Sequence, residues 1–446
     1  MPWPDRGRKL TAAAQRRGGT DDFGLLDAKC EALETPIRAT LFGAARFEQH
    51  GRSLARTHAV VPGGRGGVFF PRLSQNVAVL QRSREFLESR ARQGRHLGPA
   101  AHWLLDNAAL LDEQLLAVRR GLPRSFFQLL PLLRDEPLAG LPRIYSVAWA
   151  WVAHTDSGFD AGLLEAYLRA YQEVQPLTLA ELWALHTTLR VVLVENLRRL
   201  AERAAAQQAA RDAAHHWLDH AGADPQHLAV RERARQLATR GVSEPFLLTL
   251  VQRREDLGAP SARLLDAWLQ MQLPDVGAAL TRQHNEAAED QQSIRNAITT
   301  LRELERVDWR SIVARSSAAV RLLDRLPVHA AESEATQDAT LHEVERLARR
   351  SGRSELAVTE VLMTLTAQAA DVDDARAACA YWWCGDGEDT LHALLGLEPQ
   401  RWPRRGTAAM RKAATAPYLL GVTLLSIGLV RGCCVVTWRP MSGRRG

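Results

Sequence analysis

The uninterrupted run from Leu179 to Asp219 constrains the fold more than any other stretch of this chain. Neither proline nor glycine occurs within it, and apolar residues recur at helical spacing. Thr178 stands at the N-cap position, and Glu181 three residues further on completes the pattern of a capping box. The pattern predicts one helix of about 60 Å, at 1.5 Å per residue, which Gly222 ends.

Two shorter helical segments precede this run, so residues 137–200 are predicted to form three helices with two short breaks. The apolar positions of the first segment are Ile144, Val147, Ala148 and Trp151, and those of the second are Leu163, Leu164, Tyr167, Leu168 and Tyr171. The second set makes one wide apolar stripe. Between the two, residues 152–157 are predicted as a helix C-terminus followed by a turn, with Asp160 capping the next helix.

Helical patterns extend over most of the remaining chain, and strand signals are sparse. Leucine, alanine, arginine and glutamate dominate the composition. Further helices are predicted from about Leu25 to Leu54, and from Leu73, Pro99, Pro225, Pro245, Ser261, Ala287 and Thr340. No repeat of fixed period is present. We therefore expect an all-α fold, an elongated multi-helix body with a disordered N-terminus and a candidate C-terminal membrane helix.

The N-terminal third begins with a polar segment. Residues 1–24 are basic, punctuated by proline and glycine, and without the apolar region of a secretory signal. We expect this tail to be disordered and residues 25–136 to form an N-terminal helical subdomain. The glycine-rich run at 62–67 follows no strand and lacks the spacing of a phosphate-binding loop. It is predicted to be a flexible linker.

The cysteines indicate neither a disulfide-stabilised domain nor a zinc-stabilised one. The five cysteines are Cys30, Cys379, Cys384, Cys433 and Cys434. Their odd number and their spacing fit neither a disulfide framework nor a zinc site. They indicate thiols in a reducing compartment.

The basic residues concentrate at the C-terminal end. The formal net charge is +6, and nine Arg or Lys residues with no acid follow from position 401, so the rest of the chain has a net charge of −3. A nucleic-acid interface places basic residues on a folded face with aromatic residues between them. The helical body has no such pattern, and no nucleic-acid partner is expected.

The C-terminal tail carries a second informative pattern. Residues 416–438 are mostly apolar, with Arg431 as their one charged residue, and residues 401–415 are basic. A bilayer-spanning helix needs about 20 residues. We predict a basic juxtamembrane linker at 401–415, a candidate first transmembrane helix at 416–438 and a short tail at 439–446, with the body in the cytoplasm by the positive-inside rule. A buried C-terminal helix or an unstructured end is the alternative.

Eight words distributed along the chain carry a family resemblance. They are RLSQN at 72–76, WLLDN at 103–107, PLAGLPRIY at 137–145, VAHTDS at 152–157, RAYQEVQPLTLAELWAL at 169–185, LRVVLVENLRRLAER at 189–203, AITTLRELERVDWR at 297–310 and RLARRSGRSELAV at 346–358. Together they resemble the N-terminal region of cyclic β-1,2-glucan synthases, large bacterial membrane glycosyltransferases. Most of them fall in residues 137–400, which we take as the main helical region. The likeness weakens near Tyr381.

The resemblance implies transfer of glucose from UDP-glucose, with a divalent metal in the transferase domain, to build cyclic β-1,2-glucan. No counterpart of the family's transferase and phosphorylase-like domains is found in this sequence. We therefore expect a scaffold or regulatory region, inactive by itself, at the cytoplasmic face of the bacterial inner membrane. Its expected partners are that membrane and the rest of a glucan synthase. The alternatives are an independent helical module that docks onto a membrane glucan synthase, and an enzyme that uses His154 and Asp156.

Two short words imitate motifs of sugar-nucleotide sites. Asp371 and Asp373 form a D-x-D pair, which suits a metal-bound diphosphate because it offers hard oxygen ligands. However, they lie among helix formers with no strand before them. The word at 400–402, QRW, lacks the two-residue spacer of the Q-x-x-R-W word of such domains. Neither is assigned to a sugar-nucleotide site.

Three other groups of residues resemble functional sites, and we interpret each as structural. His154 and Asp156 could form an acid–base pair, although a histidine also suits a helix end. His216 and His220, beside His215 and Asp219, have the i, i+4 spacing of metal ligands but no third ligand elsewhere. The aromatic set Trp149, Trp151, Tyr167, Tyr171 and Trp183 could stack on a glucan, although its helical spacing indicates core. We assign no catalytic, cofactor-binding or metal-ligating residue in this chain.

Overall fold

The computed structural model describes residues 32–63, 68–135, 137–220, 228–253, 255, 259–369 and 374–398. Within these ranges the chain forms nineteen α-helices, one short 3-10 helix and two strands of two residues each. The expectation of an all-α fold is confirmed. The strands, β1 (Val60–Val61) and β2 (Leu132–Leu133), pair antiparallel, with Val60 opposite Leu133.

The helices before the long run are α1 (Ala44–Thr57), α2 (Phe69–Arg92), α3 (Pro99–Asp106), α4 (Ala108–Arg120), α5 (Arg124–Phe127), α6 (Arg143–His154) and α7 (Ala161–Gln172). The long run is α8 (Leu179–Asp219), followed by α9 (Leu228–Thr239), α10 (Ser243–Arg253), α11 (Ala259–Gln272) and α12 (Val276–Glu303). The last helices are α13 (Trp309–Ser316), α14 (Ala318–Leu323), α15 (Pro327–Ala331), α16 (Glu334–Ser351), α17 (Glu355–Thr366), α18 (Cys379–Cys384) and α19 (Glu388–Leu395). A 3-10 turn at Ala375–Ala377 precedes α18.

Helix α8 is the axis around which the other helices pack. It runs for 41 residues, and its predicted capping box is present, with the Thr178 hydroxyl accepting from the Glu181 amide and the Glu181 carboxylate accepting from the Thr178 amide. Helices α2, α6, α10 and α12 all pack against it. The helix is consequently buried on nearly every side between Leu182 and Ala214, which is typical of a helix at the centre of a large bundle.

The two halves of α8 belong to different apolar cores. The first half carries leucine and valine and packs into the largest cluster, which also contains Phe47, Tyr145 and Trp151. The second half is alanine-rich, and its residues from Ala206 onward join a cluster formed with α9, α10 and α11. Small side chains permit close approach of the neighbouring helices. The change from large to small residues along α8 thus coincides with the change in the helices that pack on it.

A third, smaller apolar cluster joins the last helices. It contains Val344, Leu347, Val358, Leu362 and Trp382, from α16, α17 and α18. Helix α17 also packs on α14, and the contacts between α16 and α8 are few. The C-terminal helices thus possess their own core and meet α8 over a restricted area near its first turn.

The predicted helix from Leu25 to Leu54 is wrong for residues 32–43, which are not helical. Helix α1 begins only at Ala44. The preceding segment has tertiary partners for its backbone groups: the amide of Ile37 donates to Asn196 Oδ1 (2.7 Å), and that of Ala39 donates to the Ala153 carbonyl (2.9 Å). Pro36 also lacks an amide proton and disfavours helix in the residue before it. Hydrogen bonds to distant residues replace those of a helix.

Several predicted helix boundaries shift. The pattern from Pro99 is divided at Asn107, whose side chain donates to the Trp103 carbonyl (2.9 Å) and accepts from Arg302 (2.8 Å). Helix α12 begins eleven residues before the predicted Ala287, after an aspartate N-cap at Asp275. Helix α16 begins six residues before the predicted Thr340. Local side-chain caps override the apolar spacing as the determinant of these boundaries.

Several predictions concern residues outside the described ranges. These are the disordered tail at 1–24, the end of α8 at Gly222, the restart at Asp224 and Pro225, the linker at 401–415, the candidate transmembrane helix at 416–438 and the tail at 439–446. Within the described ranges, no helix combines the length and the apolar character that crossing a bilayer demands.

Candidate functional site

A buried polar network surrounds the carboxylate of Glu195, halfway along α8. Arg72 donates from Nε to Oε2 (3.0 Å) and from Nη2 to Oε1 (2.5 Å). Tyr145 Oη and Asn76 Nδ2 donate to Oε2 (2.5 and 2.9 Å), and Arg199 Nη2 donates to Oε1 (2.9 Å). The side chain of Glu195 is 1% exposed. Because its lone pairs are all engaged by protein donors, this carboxylate is not available as a base or a metal ligand.

The charges of this network are stable near neutral pH. Burial alone raises the pKa of the Glu195 carboxyl, but hydrogen bonds from Arg72 and Tyr145 and the nearby guanidinium groups hold that pKa below its ordinary value. Burial and the Glu195 charge raise the pKa of Tyr145. Glu195 is therefore ionised and Tyr145 neutral, which is the combination that the donor geometry requires.

The network extends to the segment before α1 and to one aromatic ring. Arg198 donates to Asn76 Oδ1 (3.1 Å) and pairs with Glu34. The guanidinium groups of Arg199 and Arg72 lie 4.8 and 5.9 Å from the ring centroid of Trp149. Trp149 is therefore engaged in cation–π contacts within the protein. It does not present its ring as a stacking surface.

A second buried ion pair anchors the first turn of α8. Arg143, at the start of α6, donates from Nε to Glu181 Oε1 (2.8 Å), and its Nη2 bonds Glu181 Oε2 and the Pro176 carbonyl (3.0 Å). Glu181 also accepts from the amide of Thr178 (2.9 Å). One carboxylate thus completes the capping box and ties α6 to the helix that it caps.

The same helix end meets the C-terminal helices through Glu355. The amide of Leu179 donates to Glu355 Oε2 (2.6 Å), although the two residues are 176 positions apart. Burial raises the pKa of Glu355 to about 7; the hydrogen bond from Leu179 opposes this shift, and the charges of Glu345 and Glu181 add to it. This carboxyl group therefore titrates close to neutral pH.

His58, which follows α1, contacts a serine of α6 and a tyrosine of α7. His58 Nδ1 is 2.7 Å from Tyr171 Oη, and His58 Nε2 is 3.0 Å from Ser146 Oγ. The contact has the distances of a nucleophile and its base. However, Ser146 is 6% exposed, and burial together with the charge of Arg143 lowers the pKa of His58 to about 4. The group ties β1 to the core and is closed to a substrate.

Sequence reasoning did not find this contact because its three residues come from separate elements. Ser146 and Tyr171 are helical residues without motif spacing, and His58 follows α1 in a short connection. Nor did it find the Glu195 network, whose members Arg72 and Glu195 are 123 positions apart. The available signal was charged residues, such as Glu195 and Arg198, within an otherwise apolar helical run.

The word VAHTDS is a helix end and a turn, as predicted. Helix α6 ends at His154, and the Asp160 side chain caps α7 by accepting from the Leu163 amide (2.8 Å). His154 donates from Nδ1 to the Thr40 carbonyl (2.8 Å), and its ring stacks on Phe42. The turn itself binds α12, so His154 and Asp156 are directed to different partners. They do not form an acid–base pair.

The turn after α6 is held in an unusual backbone conformation. Asp156 and Ser157 both have positive φ angles, 48° and 66°. The Asp156 carboxylate accepts from Ser293 Oγ (2.5 Å) and Asn296 Nδ2 (3.2 Å), and Thr300 Oγ1 donates to the Ser157 carbonyl (2.7 Å). Side-chain donors of α12 therefore stabilise a conformation that L-residues adopt rarely. The turn is a joint between α6 and α12.

The remaining candidates are distributed as follows. His216, Asp219 and His220 are exposed, and His215 Nδ1 lies 2.8 Å from Arg253 Nη1. In the described part of the chain, no three His, Cys, Asp or Glu side chains converge as metal ligands do. Cys379 is buried and Cys384 exposed, and both are free thiols. Asp371, Asp373, the QRW word at 400–402 and the other three cysteines lie outside the described residues.

The aromatic set divides into core and surface residues. Trp151, Tyr167 and Tyr171 are at most 1% exposed, so the core interpretation is confirmed for them. Trp183 differs, because 40% of its surface is exposed. It faces a groove of about 320 Å³ between the first turn of α8 and α16. Two other clefts, of about 380 and 360 Å³, lie beside Phe70 and Asn296.

The chain is similar to a curated protein over most of its length. No family model matches the chain. The chain is 31% identical over 361 residues, 79% of its length, to the cyclic β-(1,2)-glucan synthase NdvB of Rhizobium meliloti (strain 1021). The match spans 12% of that relative's length. The chain is thus a homologue of the N-terminal region of cyclic β-(1,2)-glucan synthase.

Proposed function

We propose that this chain is a helical scaffold region of a cyclic β-(1,2)-glucan synthase-like protein and that it transfers no glucose by itself. The observation that supports this role is the assembly of distant words in one buried network. Arg72 and Asn76 come from RLSQN, Tyr145 from PLAGLPRIY, and Glu195 from LRVVLVENLRRLAER. Three of the words that resemble the synthases are therefore joined in one network that ties α2, α6 and α8 together.

The chemistry of the network supports a structural role. A catalytic carboxylate must reach a substrate proton or a reacting atom. Glu195 and Glu181 are instead fully buried and hydrogen-bonded by neighbouring side chains. Breaking such pairs is strongly destabilising, because an uncompensated charge stays buried. The network suits a rigid body that positions other parts of a synthase.

The scaffold would belong to a membrane-bound synthase. UDP-glucose and a divalent metal would be bound by other regions of such a synthase, with no cofactor held by the helical body. The body would lie at the cytoplasmic face of the bacterial inner membrane, attached through residues 416–438. Its partner would be the rest of the glucan synthase, and no nucleic acid is involved.

A chimera tests the scaffold role. The region of the Rhizobium meliloti synthase that this chain matches would be exchanged for the matching residues of this chain, and glucan synthesis from labelled UDP-glucose would be measured in membranes. We expect the chimera to make cyclic glucan, and a synthase without the region to make none. A Glu195→Gln version of the chimera should lose activity together with protein level, whereas Met271→Ala, at a residue 71% exposed, should retain both.

Three results would contradict the proposal. Glucose transfer from UDP-glucose by this chain alone would show that it is an enzyme. A chimera present in membranes at the normal level but inactive would reject interchangeable scaffolding. Restoration of the deleted synthase by this chain supplied as a separate protein would instead favour an independent module that docks onto a membrane synthase.

A further inference from the structure

A groove lies where the first turn of α8 meets α16, and we call it the Trp183 groove. Its volume is about 320 Å³, at the lower end of the range of small-molecule sites. It is lined by Phe126, Leu179, Ala180, Trp183, Asp338, Leu341, His342 and Glu345. The groove therefore combines an aromatic wall from α5 and α8 with a polar wall from α16.

The aromatic wall presents an indole ring to solvent. Trp183 is 40% exposed, whereas its neighbours Leu182 and Ala184 are each 2% exposed. Large aromatic side chains that are exposed in a concave surface provide a flat apolar face for a ligand. Among the described residues no aromatic or cationic side chain stacks on this ring, unlike the ring of Trp149, which lies beside two arginines.

The polar wall is one continuous face of α16. Asp338, Leu341, His342 and Glu345 have the spacing i, i+3, i+4 and i+7, which places them on one side of a helix. A helix that packs on a neighbour carries apolar residues at such positions. Here three of the four are polar, so α16 does not close onto α8.

The hydrogen-bonding groups of this wall are acceptors. His342 donates from Nδ1 to the Asp338 carbonyl (2.8 Å), which leaves Nε2 with a free lone pair in the neutral ring. Asp338 and Glu345 add carboxylate oxygens. A ligand that fits this wall must supply several hydroxyl or amide donors.

The charge balance excludes two ligand classes. No lysine or arginine lines the groove, so it offers nothing to a phosphate or a diphosphate. Its carboxylates are already paired from outside, Asp338 with Arg310 (3.6 Å) and Glu345 with Arg349 (3.4 Å). A cationic ligand would therefore gain little binding free energy from these carboxylates. A neutral ligand with one apolar face and several hydroxyl groups matches the exposed indole ring and the hydrogen-bond acceptors of the groove.

We infer that the Trp183 groove binds a neutral pyranose, with the C–H face of the sugar on the indole and its hydroxyl groups donating to Asp338, His342 and Glu345. Pyranose rings are amphipathic in this way, since axial hydrogens make one face apolar while the equatorial hydroxyls radiate outward. The choice of β-(1,2)-linked glucose as the sugar rests on the proposed function. The preference for a neutral pyranose rests on the groove alone.

Binding to the full chain tests this inference. A β-(1,2)-linked gluco-oligosaccharide would be titrated into the protein and followed by calorimetry and by indole fluorescence. We expect saturable binding that Trp183→Ala weakens roughly tenfold, since one lost stacking contact is worth about 1.4 kcal/mol. Trp183→Phe should retain part of the affinity, and Asp338→Asn with Glu345→Gln should weaken it. Met271→Ala is the matched exposed control and should bind normally.

Each other outcome overturns a defined part of the inference. No binding, or equal affinity in a folded Trp183→Ala variant, removes the site. Binding of tetramethylammonium in place of the oligosaccharide assigns the groove to cations. Equal binding of a mannose oligosaccharide retains the pyranose site but overturns the assignment to glucose. The chimera assay is independent of these results, so failure here leaves the scaffold proposal standing.

Discussion

Glu195, in the middle of α8, and Glu355, at the start of α17 beside the first turn of α8, are both buried carboxyl groups, and their pKa values are shifted in opposite directions. Glu195 lies at mid-helix, where two arginines, a tyrosine and an asparagine donate to it. Glu355 lies at the first turn, where it accepts from the Leu179 amide and has Glu345 and Glu181 as neighbours. The pKa of the first is lowered, and that of the second is raised to about 7.

The difference shows that burial by itself does not determine whether a carboxyl group stays ionised. Desolvation raises the pKa of both groups. Charged donors reverse this effect at Glu195, whereas a single backbone amide beside two other carboxylates does not reverse it at Glu355. The middle of α8 is therefore held by permanent charges, and its junction with the C-terminal helices by a charge that titrates.

Removing the charge of Glu195 should have the largest effect. Glu195→Gln leaves Arg72 and Arg199 without their shared partner in a buried position, so we expect a loss of about 3–5 kcal/mol in the free energy of unfolding. Urea unfolding followed by circular dichroism measures this loss. Met271→Ala provides the control, and a loss below about 1 kcal/mol would show that the network contributes little.

Removing one hydrogen-bond donor should raise the pKa of Glu195, which is the direction in which the pKa of Glu355 is shifted. Arg72→Met deletes two of the hydrogen bonds to the carboxylate, so we expect a loss of about 2–3 kcal/mol and a higher pKa for Glu195. In the wild-type protein the contribution of Glu195 is complete above its ordinary pKa of 4.5 and is lost as the pH falls through the lowered folded-state pKa. Because the folded variant binds the Glu195 proton more tightly, its deficit should grow as the pH rises from the lowered folded-state pKa of the wild type to the higher pKa of the variant, which urea unfolding at a series of pH values measures. A deficit independent of pH would contradict this account.

Glu355→Gln should abolish a pH dependence at the junction. The pKa of Glu355 is about 7 in the folded state and ordinarily 4.5, so the folded protein holds a proton that the unfolded chain releases between these values. Stability should therefore fall as the pH rises from about 4.5 to about 7 and then level off. The glutamine variant should lack this fall and be more stable at pH 8, by on the order of 1–3 kcal/mol. Parallel stability profiles for the two proteins would refute the shift.

Thr178→Ala should have the smallest effect on stability, because a second side chain also accepts a hydrogen bond from the first turn of α8. The variant loses the hydroxyl that accepts from the Glu181 amide, and N-cap losses typically cost about 1 kcal/mol. The carboxylate of Glu355 still accepts from Leu179. The double variant Thr178→Ala with Glu355→Ala removes both acceptors and tests their coupling, since a change equal to the sum of the two single variants would show that the two caps act independently.

Local signals in the sequence predicted the start of α8 and the turn after α6. Thr178 and Glu181 are three positions apart, so the start of α8 is visible without any tertiary information. The helix end and turn within residues 152–157 were likewise predicted from neighbouring residues, and the helix ends at His154. Residues 32–43 were wrongly predicted as helix, because their apolar spacing does not reveal that Ile37 bonds Asn196, 159 positions away. The starts of α12 and α16 were missed for the opposite reason, since Asp275 and Ser333 are local caps that the apolar pattern outweighed.

The sequence by itself determined the all-α class, the length and cap of α8, and the words that relate the chain to glucan synthases. These follow from residues within a few positions of one another or from the order of the letters. Tertiary structure alone decided that Glu195 is ionised, that Glu355 titrates near neutral pH and that Trp183 faces a groove while Trp151 is buried. Desolvation, hydrogen bonding and exposure depend on side chains brought together from distant parts of the chain, and no local pattern contains that information.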